Sequence, residues 1–361
     1  MFDSQHYIPI LKWKRAEQGA LQSLSDESKA RMTPLVQFVM PNYKQGEQLE
    51  DLCARFEGMT PTLREKLVSV WGESPVFVDA SLLFTTSLKV KALKTILTDA
   101  AGVGGFLIPT IYLTDEKKIQ ETVFRAAREA NTGLCVRLTR RQLSDVSQLN
   151  IALVAVLNES RVPIDQIDLL VDLKEMEYNG VEYEAILEAS QSIHEIKKWR
   201  TFTLAGGSFP EDLSKCKLDE KNELPRVEWQ HWVEHVQEKD LIREPSFGDY
   251  TVQHPIYKDS TQFFHPTASL RYTLDNVWLV MKGQKQKFYQ YLVHAATLVS
   301  SDYFYGNDFS VGDAYIAEKA AHLSAYQKDP SIKGTGSTET WLRAGINHHL
   351  SLVARQIANL A

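Results

Sequence analysis

The chain has 361 residues, of which 43% are hydrophobic and 24% charged, with a formal net charge of −6. That length exceeds a small single domain and accommodates a barrel of roughly 250 residues with an appendage. The acidic balance and the lack of a sustained basic block argue against non-specific nucleic-acid binding as the main activity, because such binding needs many phosphate-neutralising cations.

Short apolar runs alternate with helical stretches along most of the chain. The strand-like runs are YIPILKW from Tyr7, TPLVQFVM from Thr33, PVFVDAS from Pro75 and GFLIPTIYL from Gly105, then GLCVRLT from Gly133, IDLLVDL from Ile167, TFTLAGG from Thr201 and GDYTVQH from Gly248. Segments such as EQLEDLCARF, SLKVKALKTILTDA, EKKIQETVFRAAREA, SQLNIALVAVLNES and YEAILEASQSIHEIKKW lie between them, with apolar residues three and four apart. Ser87, Thr114 and Ser144 are the expected N-caps, and Gly102 and Gly133 the expected helix ends. Eight strands at a mean spacing of about 35 residues, with seven helical stretches between them, match a TIM-like (β/α)8 barrel. A doubly wound open sheet is the alternative, weakened because no GxGxxG follows the first strand.

The rhythm changes after Pro255. SLRYTLDNVWLVMKG reads as a hairpin turning at Asp275–Asn276, followed by helices in KFYQYLVHAATLVSS, VGDAYIAEKAAHLSAY and ETWLRAGINHHLSLVARQIANL. The expected organisation is a barrel over 1–255, with the hairpin and helices of 256–361 packed on it. Trp341, Ile346, Leu350 and Val353 share one helical face and read as core, and Asp313 reads as a cap or first-turn residue.

Alternation along each strand assigns side chains to the lumen, because the set facing the helices should be apolar. Leu134, Val136 and Leu138 face outward, which turns Arg137 inward. Leu169, Val171 and Leu173 do the same for Asp172, Val76 and Val78 for Asp79, and Leu11 and Trp13 for Lys12. Gln37 and Thr110 also point in. Lys12, Asp79, Arg137 and Asp172 therefore converge at the carboxyl ends of the strands, the face where barrel enzymes build their sites. Two cations and two carboxylates in a partly dry mouth form either a functional site or a set of ion pairs that hold the barrel together. Gly206 and Gly207, at the end of the seventh strand, allow close backbone approach, and with Ser208 they could hold a phosphate; a plain strand-to-helix turn is the simpler reading. Arg271 is a further candidate ligand-binding cation, as is Gln37 among the neutral groups. His348 and His349 diverge by about 100° on a helix, so one is expected in the core and one at the surface.

Cys53, Cys135 and Cys216 form no CxxC pair, which signals neither a zinc knuckle nor a disulfide framework and points to a reducing cytoplasm. The opening MFDSQHYIPILKWKR has no long apolar core, so no signal peptide is expected, and no apolar run approaches the roughly 20 residues of a membrane span.

Three segments in order, YIPILKWKRAEQGAL…LSDESKARMTPLVQ, AGGSFPEDLS and GDAYI…TWLRAGINHHL, resemble the beta protein family. That family takes its name from a phage-borne protein and is found widely in bacterial genomes, often beside mobile or antiphage-defence genes. The resemblance spans essentially the whole chain. It implies a cytoplasmic role in phage–host conflict and carries over no catalytic residues. Two functions are expected from the residues themselves. One is a barrel that binds or hydrolyses a phosphate-containing small molecule or nucleic-acid end. In it Lys12 and Arg137 would neutralise charge, and Asp79 and Asp172 would act as base or hold a divalent cation such as Mg2+. The other is a non-catalytic barrel that recognises a protein partner from a phage or a defence operon.

Overall fold

The computed structural model describes residues 5–98, 104–177, 180–238, 240–258 and 267–360. Its strands are β1 (Ile8–Lys12), β2 (Leu35–Gln37), β3 (Pro75–Asp79), β4 (Phe106–Tyr112), β5 (Leu134–Thr139), β6 (Ile167–Glu175), β7 (Thr201–Gly207), β8 (Asn222–Pro225), β9 (Ser246–Asp249), β10 (Leu270–Thr273) and β11 (Val277–Met281). β1 to β7 and β9 close into a barrel in that order, every neighbour parallel, including the closing pair of β9 with β1. The helices are α1 (Arg15–Gln22), α2 (Asp26–Ala30), α3 (Leu49–Trp71), α4 (Thr86–Leu97), α5 (Lys117–Ala130), α6 (Val146–Ser160), α7 (Gly180–Ser190), α8 (Val227–Glu238), α9 (Gln290–Val299), α10 (Val311–Lys328) and α11 (Thr338–Asn359). The fold is a TIM-like (β/α)8 barrel with a mostly helical C-terminal region. Among the described residues, no helix is long and apolar enough to cross a membrane.

Parity sorts the strand residues into two cores. Ile8, Ile10, Leu35, Phe77, Ile108, Cys135, Leu170, Ala205 and Tyr250 fill the lumen. Leu11, Val36, Val76, Val78, Leu134, Val136, Leu169, Val171, Phe202 and Leu204 join the helices in the outer core. This is the layering that inward and outward alternation imposes on a closed sheet.

Helix ends depart from the expected caps. Thr85, not Ser87, caps α4, accepting from the Leu88 amide at 3.2 Å. Glu116, not Thr114, precedes α5. Asp145, not Ser144, caps α6, because the Ser144 hydroxyl donates to the Arg141 carbonyl within a 3-10 turn. Left-handed Asn131 ends α5 two residues before Gly133. Gly133 is needed for another reason: at φ +74° a side chain there would strike the Gln166 carbonyl. Gly102 lies outside the described residues. The long helix expected up to Trp199 stops at Ser190 and gives way to turns and a 3-10 helix over Ile196–Lys198.

The C-terminal hairpin turns where expected, with the Leu274 amide donating to the Val277 carbonyl. Its third strand is β8, contributed by the chain between β7 and β9, so the sheet order is β10–β11–β8. α11 lies between two cores. Ile346, Leu350 and Val353 join the outer barrel core, whereas Trp341 and Ala344 pack with Tyr272, Leu279, Tyr291 and Ile316 under the hairpin.

Candidate functional site

Lys12, Gln37 and Asp79 end their strands in register, Lys12 opposite Gln37 and Gln37 opposite Asp79. All three side chains are buried, as are Arg137 and Asp172. Arg137 is the centre of the cluster. Its Nη1 pairs with Asp79 Oδ2, and its Nε and Nη2 reach Asp172 Oδ2 at 3.1 and 2.8 Å. Nη2 also donates to the Tyr250 hydroxyl at 2.7 Å, and the guanidinium lies 5.5 Å from the Tyr112 ring centre.

All four carboxylate oxygens are engaged. Asp79 Oδ1 accepts from the Ser81 amide at 2.6 Å, and Oδ2 accepts from Gln37 Nε2 at 3.2 Å as well as from Arg137. Asp172 Oδ1 accepts from the Lys174 amide at 3.0 Å, and Tyr250 lies 2.8 Å from both oxygens. Burial works to raise the Asp172 carboxyl, but Arg137, Lys174 and Tyr250 hold it below the usual carboxylate range. Burial also opposes the charge on Arg137, yet the surrounding tyrosines and aspartates hold its proton more firmly than usual. The cluster is a dense ion-pair network in which every carboxylate oxygen already accepts a hydrogen bond.

The cations above it are placed differently. Lys12 is 6% exposed, and its Nζ donates to the His254 carbonyl at 2.8 Å, between the rings of Tyr250 and Tyr257. Burial, aided by the nearby charges of Lys14, Lys174 and Arg271, pulls its ammonium down to about 8. Glu17 is a carboxylate within electrostatic reach, but burial raises it, so it gives up its proton less readily than an ordinary glutamate. Arg271 donates to the Val252 carbonyl at 2.7 Å and lies over Phe209. Lys174 reaches Asp172 at 2.9 Å and Tyr250 at 3.0 Å.

Sequence alternation overlooked Lys174 and Tyr250. Lys174 lies just past the apolar run, in left-handed conformation (φ +57°) at a break in register where Asp172 faces Ala205 and Lys174 faces Gly206. Tyr250 has the inward parity of Gly248. The signal was hidden by Asp249, a carboxylate on the face that should be apolar.

The glycine segment serves packing. A side chain at Gly206 would strike Met176, and one at Gly207 would strike Pro255 and Tyr250. The Ser208 hydroxyl accepts from the Val227 amide at 3.0 Å and donates to Glu228 at 2.5 Å, so it caps α8 from a distance.

A second polar cluster occupies the seam between β9 and α11. The expected split of His348 and His349 into core and surface does not hold, because α11 is enclosed on both sides and both are fully buried. His349 Nε2 lies 2.8 Å from Asp249 Oδ2, and Tyr7 donates to Asp249 Oδ1 at 2.5 Å. His348 Nδ1 lies 2.8 Å from Asp313 Oδ2, and Tyr272 donates to Asp313 Oδ1 at 2.7 Å. Thr273 joins the two groups, its hydroxyl 2.9 Å from His349 Nδ1 and its carbonyl 2.8 Å from His348 Nε2.

Among solved structures, the chain is similar to a type I 3-dehydroquinate dehydratase from Clostridium difficile, solved with covalently modified comenic acid. The two are 11% identical, with a TM-score of 0.37, over 69% of this chain and 85% of that one. No curated protein matches the chain. The family model described as Beta protein matches residues 7–355, and with nearly the whole length covered the chain belongs to the Beta protein family.

Proposed function

We propose that the C-terminal mouth of the barrel binds a phosphate-containing ligand, either a small molecule or a nucleic-acid end. The single observation that carries this reading is Lys12: a buried ammonium whose hydrogen bond goes to a carbonyl, with three further cations that depress it and Glu17 as the carboxylate that supports it. Buried charge is ordinarily paired. Asp79 and Asp172 are taken up by Arg137 and Lys174, so an anion brought by a ligand would complete the site. Lys12, Lys174 and Arg271 are the recognition groups in this proposal, with Arg137 and its aspartates as the rigid floor. The pairing of both carboxylates with cations favours binding over hydrolysis. Free thiols at Cys53, Cys135 and Cys216 suit a cytoplasmic protein, and the family resemblance suits a part in phage–host conflict.

Thermal melts of the wild type and of Lys12→Met, with orthophosphate, nucleotides and a 5′-phosphorylated oligonucleotide, test the proposal. A ligand at about 100 times its Kd raises stability by ~2.7 kcal/mol. That rise is expected in the wild type and lost in the variant. The variant without ligand should melt higher at pH 7. The folded pKa of Lys12 lies below the unfolded one, so its favourable contribution is complete only above the unfolded pKa and is lost as pH falls through about 8. At pH 7 the buried ammonium therefore costs on the order of 3 kcal/mol, partly offset by its hydrogen bond. A flat screen together with co-purification of a protein would overturn the proposal in favour of a non-catalytic barrel that recognises a phage or partner protein.

A further inference from the structure

The outer wall of the barrel carries a separate cluster. α8 reads VEWQHWVEHVQE, and its Trp229, Trp232 and Val236 are buried against the barrel, with both tryptophans on Phe247. Beside that apolar stripe, His231, Glu234 and His235 stand at positions i, i+3 and i+4, spacings that share one helix face. One ligating atom from each of the three lies within 4.8 Å of the others. A further observation bears on the cluster. Tyr183 of α7 stacks on both imidazoles, with ring centres 5.6 and 5.7 Å away, and the imidazoles lie 5.8 Å apart at 28° to each other. A neighbouring helix thus sets the orientation of both rings.

We propose that His231, Glu234 and His235 form a binding site for a divalent transition metal of the zinc class. Two imidazoles and one carboxylate are a mixed nitrogen and oxygen donor set, which suits Zn2+ and its neighbours rather than Ca2+ or Mg2+, whose sites are built from oxygen. Ligand atoms around a tetrahedral Zn2+ at ~2.0–2.1 Å are roughly 3.3 Å apart. Reaching that spacing calls for rotation of Glu234, whose side chain is 59% exposed, toward the two stacked imidazoles. Three protein ligands leave one position open for water or for a donor group of a partner.

The test is calorimetric titration of the untagged full chain with Zn2+, with competition by a chromophoric chelator. One equivalent should bind with micromolar or tighter affinity and raise the melting temperature. Co2+ should give the visible absorption of a four-coordinate site. His231→Ala risks misfolding because His231 is buried, so the informative variants are His235→Ala and Glu234→Gln. Each should weaken Zn2+ binding at least tenfold while leaving the metal-free melt unchanged, and His194→Ala, outside the cluster, should bind as the wild type does. Unsaturable binding to the wild type, or unchanged affinity in either His235→Ala or Glu234→Gln, overturns the three-ligand site.

Discussion

In the lumen one guanidinium serves two carboxylates, whereas in the seam two carboxylates are each served by an imidazole and a tyrosine. The lumen cluster is ionic throughout. Its members come from strands held rigidly by the barrel ladder, and their charges are complementary enough to keep Asp172 ionised despite full burial. The seam is a chain of shared protons. The Thr273 hydroxyl can donate to His349 Nδ1, so His349 needs a proton only on the nitrogen facing Asp249, and burial holds its pKa below the ordinary imidazole value. Nearby Glu228 is raised to about 7, by burial first and then by Asp249, and its Oε1 has no hydrogen-bond partner among the described residues. Charge placed on rigid strands can be balanced inside one element class. Between the two packed regions burial raises Glu228 to about 7 and lowers His349, so the seam should respond to pH where the lumen does not.

Three variants sharpen or break that contrast. The largest effect is expected from Arg137→Met, which leaves buried Asp79 without its cation and Asp172 with Lys174 alone, and should cost ~3–5 kcal/mol in urea unfolding, enough to prevent folding in a marginal protein. Replacing the whole set, with Asp79→Asn and Asp172→Asn added, should recover most of the loss. Wild-type stability in Arg137→Met alone would mean that the lumen is not an ionic network.

A smaller effect, of opposite sign, is expected for Glu228→Gln. The folded pKa of Glu228 is raised, so its contribution is complete below the unfolded carboxylate value of about 4.3 and is lost as pH rises through about 7. The variant should therefore gain ~3 kcal/mol over wild type at pH 8 and nothing at pH 4, read from urea midpoints across that range. An equal gain at both pH values would refute a buried, titrating Glu228.

The smallest effect is expected for His349→Gln, which keeps a donor for Asp249 and should cost ~1 kcal/mol. Because the folded pKa of His349 is lowered, the wild type should lose stability as pH falls below about 6.5, and the variant should lose less. Identical pH profiles would show that His349 does not titrate across folding.

Much of the lumen was legible because alternation needs only local information. The aliphatic sets in GLCVRLT and IDLLVDL face helices in any closed parallel sheet, so Arg137 and Asp172 had only one direction left. Lys174 was not legible because a bulge is a property of the pairing, not of one strand. Ser208 was misleading in a related way: a serine after two glycines suits a phosphate loop, but here it caps a helix that starts 19 residues later. The spacing of His231, Glu234 and His235 was visible in HWVEH. Its proximity to Tyr183 depended on the packing of α7 against α8.

By itself, the amino-acid order determined the eight strands, the helices between them, the hairpin turn at Asp275–Asn276 and the inward direction of Lys12, Asp79, Arg137 and Asp172, because periodicity acts over a few residues. Tertiary structure alone decided which charges meet, that Asp79 and Asp172 share one arginine, that α11 is buried on both sides, and that Lys12 lies among cations. Those outcomes depend on distances between segments far apart in the chain, and the strength of each charge depends on how much water the fold removes from around it.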